Sequence, residues 1–125
     1  MRKVAVLLAV LVTACAHVAP VENAVVSDRL FCGLSVPDGG IVTQTELDAF
    51  VKEVVEPHFP VGFTVWRARG HWKGGNEEVM ILEIIHRHDA DLDRAVREIA
   101  QEYRTRFRQE AVLRVTMPAR MELTR

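Results

Sequence analysis

Long hydrophobic runs are missing from this chain. The longest, Val4–Val12, covers nine residues and would rise only about 14 Å as a helix, against a hydrocarbon core about 30 Å thick. A lasting transmembrane helix is thereby excluded at that place. Charge of one sign is equally scarce: 16 Lys and Arg stand against 17 Asp and Glu, for a formal net charge of −1. That balance offers no electrostatic footprint for nucleic acid, so none is expected as a partner. Cysteine is limited to Cys15 and Cys32, too few for a disulfide framework. No glycine-rich phosphate loop and no hydrolase-type nucleophile motif is present, and no cofactor is expected. With 125 residues the chain has room for one domain.

What is present begins with an address. Met1-Arg2-Lys3 is a basic start, followed by the short apolar run and then by small residues, the pattern of a secretory signal over residues 1–14. Val12-Thr13-Ala14-Cys15 resembles the lipobox of bacterial lipoproteins, which implies cleavage before Cys15 and acylation of that cysteine. Ala14-Cys15-Ala16 also fits the small-x-small site of a conventional signal peptidase, and a cut there would release a soluble protein. Both routes export the chain. The expected product is a periplasm-facing domain of the bacterial cell envelope, held to the membrane by lipid at Cys15. Residues 15–27 lack a clear period and contain Pro20, so they read as a tether. Cys32 then has no disulfide partner. Lying mid-strand among apolar neighbours, it reads as a small buried hydrophobe.

The folded part, residues 28–125, is organised around Val79–His86, which is apolar on both alternating faces except for Glu83. A strand of that kind belongs inside a sheet covered on both sides. Before it, Asp28–Val36 alternates as a strand. Thr43 and Glu46 make a capping box, and Leu47, Phe50, Val51, Val54 and Val55 form a helical stripe. Pro57 and Pro60 close that helix. Val61–Trp72 reads as a strand joined to Val79–His86 by a turn at Lys73-Gly74-Gly75-Asn76. Asp89 or Asp91 caps a second helix reaching about Arg108, with the stripe Leu92, Ala95, Val96, Ile99, Tyr103 and Phe107. Ala111–Met117 alternates again, and Pro118 is expected to free the tail. The order β-α-β-β-α-β predicts an α+β, ferredoxin-like fold: four antiparallel strands, the first and third central, with both helices on one face.

Three segments carry a resemblance. Arg29–Leu34 with Pro37-Asp38-Gly39-Gly40, Gly70-His71-Trp72, and Phe107–Val115 together are similar to a bacterial family catalogued as domain of unknown function 3574, over about residues 28–120. Family members tend to carry an aromatic at the position of Cys32 and a glutamine at that of His71. The resemblance implies a small exported domain without an assigned activity.

Function is expected on the face of the sheet that the helices leave bare. The alternation places Phe31, Arg67, Arg69, Val79, Ile81, Glu83, Ile85, Val112 and Arg114 there. Such a face, apolar yet studded with opposite charges, suits a binding or assembly module, with a homodimer as one form of it. Glu83 would then be ion-paired to Arg114 or Arg67. The competing expectation is a small enzyme or anionic-ligand binder with Glu83, His86 and Arg114 in one sheet-face cleft. His86, His88 and Asp89 have ligand chemistry, but Asp89 has a ready task as a helix cap, so no metal is expected. His71-Trp72 reads as hairpin-end packing, with Trp72 a further ligand candidate.

Overall fold

The computed structural model describes residues 24–125. The expected signal segment, Cys15 and the tether as far as residue 23 lie outside them. Within them run β1 (Val25–Gly33), α1 (Gln44–Phe50), a π-helical turn (Val51–Val55), α2 (Glu56–His58), β2 (Thr64–Trp72), β3 (Gly75–Arg87), α3 (Ala90–Arg106) and β4 (Leu113–Ala119). The strands form one antiparallel sheet in the order β2-β3-β1-β4, with β1 and β3 central. The helical segments cover one face, giving the ferredoxin-like α+β arrangement that the element order predicts. No helix among the described residues is long and apolar enough to cross a membrane.

Burial explains why the layers close this way. Leu30, Cys32, Met80, Leu82 and Ile84 point to the helices and are buried, and Leu47, Phe50, Val55, Val96, Ile99 and Tyr103 meet them from the other side. The α1 start is fixed by the expected capping box, in which the Thr43 N–H donates to Glu46 Oε2 at 2.8 Å and Thr43 Oγ1 accepts from the Glu46 N–H. Pro57 does not stop this helix. It has no N–H to give and crowds the carbonyl four residues back; the chain widens into the π turn just ahead of it and continues to His58. Lys73 and Gly74, with φ of 45° and 84°, make a two-residue turn between Trp72 and Gly75, which pair with each other.

Boundaries shift on all four strands, with β1 ending at Gly33, β2 starting at Thr64 and β4 starting at Leu113, and three further shifts bear on the site. β1 begins at Val25 rather than Asp28, taking in the last residues of the expected tether and placing Asp28 in mid-strand. β3 extends back to Gly75. β4 runs to Ala119 and contains Pro118, which an edge strand tolerates because no further strand needs its missing N–H.

Ile81 and Glu83 face away from the helices as expected, together with Phe31, Val79 and Ile85. Arg67, Arg69 and Arg114 do not, and Val112 packs against the core cluster. Register decides the first two: Trp66 stands opposite Ile81 and Ala68 opposite Val79, so those residues own the open row of β2. Arg67 and Arg69 occupy the helix-side row of the edge strand β2, and Arg69 also reaches the rim of the open-face cavity. Leu113 stands opposite Phe31 and Val115 opposite Arg29, which turns Arg114 inward.

Candidate functional site

Two polar constructions lie on opposite faces of the sheet. On the helix side, Asp28 sits on β1 between Val26 and Leu30, fully buried. Its carboxylate accepts from Arg114 Nε at 2.8 Å and Arg114 Nη2 at 2.8 Å, from the Thr116 hydroxyl, and from His86 Nε2 at 2.8 Å. Arg114 Nη2 also donates to Asp93 Oδ1 on α3, at 2.7 Å. The other ring nitrogen of His86, Nδ1, lies 2.7 Å from the Arg87 carbonyl. Both of its neighbours are acceptors, so both contacts are hydrogen bonds only when each ring nitrogen carries a proton. Burial pushes the Asp28 carboxyl up, but the bonds from Arg114, Thr116 and His86 outweigh it and hold it down at about 2. The cluster ties β1, β3, β4 and α3 together, with no unsatisfied buried side-chain polar atom among the described residues.

On the open side, Glu83 accepts from Arg29 Nε and Ser27 Oγ, each at 2.8 Å. The bond from Arg29, followed by that from Ser27, holds its carboxyl below the usual range. The Arg29 guanidinium also lies 5.9 Å from the centre of the Trp66 ring. Glu83 is therefore a satisfied partner on the sheet. Its cation is Arg29, where Arg67 or Arg114 was expected.

The Gly33 end of that face holds a cavity of ≈ 580 Å³. Phe31, Ala68, Val79, Ile81 and Leu113 form an apolar floor, with Trp72 of the hairpin and the α3–β4 connection Arg108–Val112 as walls. That connection is clasped on both sides. Arg108 pairs with Asp38, Glu110 pairs with Lys73, and Gln109 Nε2 donates to the Ser35 carbonyl at 2.8 Å. Lys73 lies over the Trp72 ring at 5.9 Å. Exposed pairs of this kind add little stability; their effect here is to place the wall. Glu77 brings a carboxylate into the apolar cavity. Its Oε1 accepts a long bond from the Ser35 N–H at 3.4 Å. A Cβ on Gly33 would overlap the Glu77 carboxylate and the Gln109 amide, so glycine at 33 is what gives Glu77 its place.

The expected site residues are thus divided. Phe31 and Trp72 share the cavity. Glu83 lies on the same face, while His86 and Arg114 are on the other and meet at Asp28; the expected single cleft of Glu83, His86 and Arg114 does not exist. Arg67 faces the helix side and approaches Glu78 at 3.8 Å. Asp89 caps α3 through the N–H groups of Asp91 and Leu92, and His88 is exposed with its N–H on the Ala24 carbonyl at 2.7 Å. No group of three or more His, Cys, Asp or Glu among the described residues is arranged for a metal. Burial pushes the Cys32 thiol well above its usual range, which keeps it unreactive. Asp28 and Glu77 were missed. A strand extended back over Val25 and Val26 would have flagged Asp28, since it shares the parity of Leu30 and Cys32. Nothing local marks Glu77; only the register that sets it beside Gly33 does.

A family model described as "Protein of unknown function (DUF3574)" matches residues 27–123. No curated protein matches the sequence. Among solved structures, a phage SAM lyase in complex with S-methyl-5'-thioadenosine is 20% identical, with a TM-score of 0.55 over 81% of this chain and 86% of that one. A phage SAM lyase in the apo state is 21% identical, with a TM-score of 0.56 over 80% and 85%. At such identity the likeness is one of fold.

Proposed function

This chain belongs to the DUF3574 family, and from that premise we propose that it is a small-ligand-binding module of the bacterial cell envelope, exported and held to the membrane by lipid at Cys15. The basic start, short apolar run and lipobox-like Val12–Cys15 support the location. The open-face cavity supports the binding. Its ligand has a flat, apolar body lying on Phe31 and against Trp72, and a positively charged head directed at Glu77. One observation carries this reading: Glu77 lies within a mostly apolar cavity and forms no ion pair among the described residues, with Arg69 lining the same cavity but not paired to it, and with the rim residues Glu110 and Arg108 already paired with Lys73 and Asp38. A carboxylate in such surroundings favours a cation that arrives with the ligand.

The ligand of the phage structure, S-methyl-5'-thioadenosine, offers a flat adenine and a neutral thioether, and S-adenosylmethionine carries a sulfonium cation at the same sulfur. Isothermal titration of the chain with both compounds tests the reading. Glu77→Gln is expected to weaken binding of the cationic compound about tenfold or more, the effect of losing a hydrogen bond to a charged group, and to change the neutral one by no more than about twofold. Equal losses for both, or no binding of either by the unaltered chain, would retire the proposed ligand chemistry.

A further inference from the structure

The end of α3 aims one side chain at the cavity. After Phe107 the backbone takes a left-handed step at Arg108, with φ of 53°. The Gln109 N–H then donates back to the Arg104 carbonyl at 2.9 Å, and the Arg108 N–H reaches the Thr105 carbonyl at 3.4 Å. A glycine usually provides this helix stop; here an arginine takes the left-handed position at some conformational cost. The stop carries the Gln109 carboxamide to β1. Its Nε2 donates to the Ser35 carbonyl at 2.8 Å and to the Phe107 carbonyl at 3.0 Å, which uses both hydrogens of the NH2 group. Turned over, the amide would set its oxygen against two carbonyl oxygens, so its orientation is fixed. Gln109 Oε1 is left over Gly33, on the open face, and Glu77 Oε1 meets it there. Both oxygens lie within 2.8 Å of the point that a Cβ on Gly33 would occupy. Among the described residues, the Ser35 N–H approaches Glu77 Oε1 at a long 3.4 Å and nothing donates to Gln109 Oε1. The cations of the rim supply no donor. Arg108 is bonded to Asp38 and Lys73 to Glu110, and Arg69 donates to neither oxygen.

We propose that these two oxygens form the head-group subsite of the cavity, and that it takes a cation rich in N–H groups, a primary ammonium or a guanidinium, over a quaternary ammonium or a sulfonium. The inference rests on the cationic-ligand reading given above and narrows it. Charge alone answers Glu77 but leaves Gln109 Oε1 without a donor, and an acceptor closed off by an alkylated cation loses the hydrogen bond it had with water. An ammonium brings three N–H groups and a guanidinium five in one plane, so either serves both oxygens at once. Hydrogen bonds of this charge-assisted kind are the strong ones. In S-adenosylmethionine the group that fits is the amino group of the methionine part, not the sulfonium.

The test compares three ligands that share one flat apolar body: tryptamine, its N,N,N-trimethyl derivative and the neutral 3-ethylindole, each titrated calorimetrically into the full chain. Tryptamine is expected to bind about tenfold or more tighter than the trimethyl compound, the effect of hydrogen bonds to a charged group. Gly33→Ala then sets a methyl where the two oxygens meet. Gly33 lies in β1 with an ordinary φ, and the atoms displaced are the ends of long side chains, so the variant keeps its fold, which thermal unfolding verifies. In it tryptamine is expected to come within about twofold of the trimethyl compound. Two cations that bind the unaltered chain equally, both tighter than 3-ethylindole, overturn the N–H subsite and leave the cationic reading standing. Cations that bind no better than 3-ethylindole overturn both. A tryptamine preference that survives Gly33→Ala overturns the assignment to Glu77 and Gln109.

Discussion

Asp28→Asn is expected to destabilise the domain by about 3–5 kcal/mol, the cost of removing one partner from a buried ion cluster. For a domain of this size that lowers Tm by about 12 °C or more. The reason is what remains behind. Arg114 and His86 both donate to Asp28, and an amide turns an NH2 group towards one of them. Asp93 can still take part of the Arg114 charge, but it is bonded to Arg97 as well and stands on α3 instead of in the sheet. His86 has no second carboxylate among its hydrogen-bond partners.

The same network gives a pH signature. Asp28 titrates at about 2 in the folded state, against about 3.9 for an ordinary aspartate. A depressed folded value means that its stabilisation is present above about pH 4 and is lost as the pH falls towards 2. The difference amounts to about 2–3 kcal/mol. Urea unfolding at several pH values should show this loss in the natural chain, and a shallower acid limb in Asp28→Asn. Glu83 and Asp89 are also held below their usual range by their own partners and contribute to both proteins alike. Asp93 is instead held down first by Arg114, so the difference between the two acid limbs reports Asp28 together with the Asp93 that shares its arginine. An Asp28→Asn protein within about 1 kcal/mol of the natural chain would show that Arg114 and His86 relax to water at little cost.

The elements legible in the sequence are those whose signal is local. Thr43 and Glu46 define the start of α1 because a capping box needs only four residues. Asp89 and the stripe from Leu92 to Phe107 define α3, and the double-sided apolarity of Val79–His86 sets β3 at the centre. A period of two gives two rows of side chains without saying which row meets the helices. On the central strands, burial settles that question: Leu82 and Ile84 must be covered. On the edge strands it does not. Arg67 is comfortable on either side of β2, and Arg114 resembled a surface cation until Asp28 was placed inside. For Glu83 the alternation offers Arg114 or Arg67, and only the pairing of Arg29 with Glu83 across β1 and β3 reveals the partner it takes. The cavity is less legible still, since Gly33, Glu77, Trp72 and Gln109 come from four separate stretches and meet only in the folded sheet.

Tyr103 joins that cavity to the core, and its replacement by alanine is the second large expected loss, about 3–5 kcal/mol. The ring is fully buried, packing edge-on against Phe50 with centroids 5.2 Å apart and tilted against Phe107 at 4.7 Å. Its hydroxyl passes behind the sheet to donate to the Gly33 carbonyl at 2.8 Å, and burial pushes the phenol above its usual range so that it stays a donor. Tyr103→Phe separates the two contributions. It keeps the aromatic packing and removes only the hydrogen bond, so a loss of about 1–2 kcal/mol is expected. Gly33 is also the residue over which Glu77 lies, so the phenylalanine variant should weaken cationic ligands more than its small stability loss suggests, because the backbone beneath the carboxylate has lost its anchor. Thermal unfolding and titration of the two variants side by side check both parts. If Tyr103→Phe matches the natural chain in stability and in affinity, the hydroxyl is a passive occupant of the core and the link from α3 to the cavity is absent.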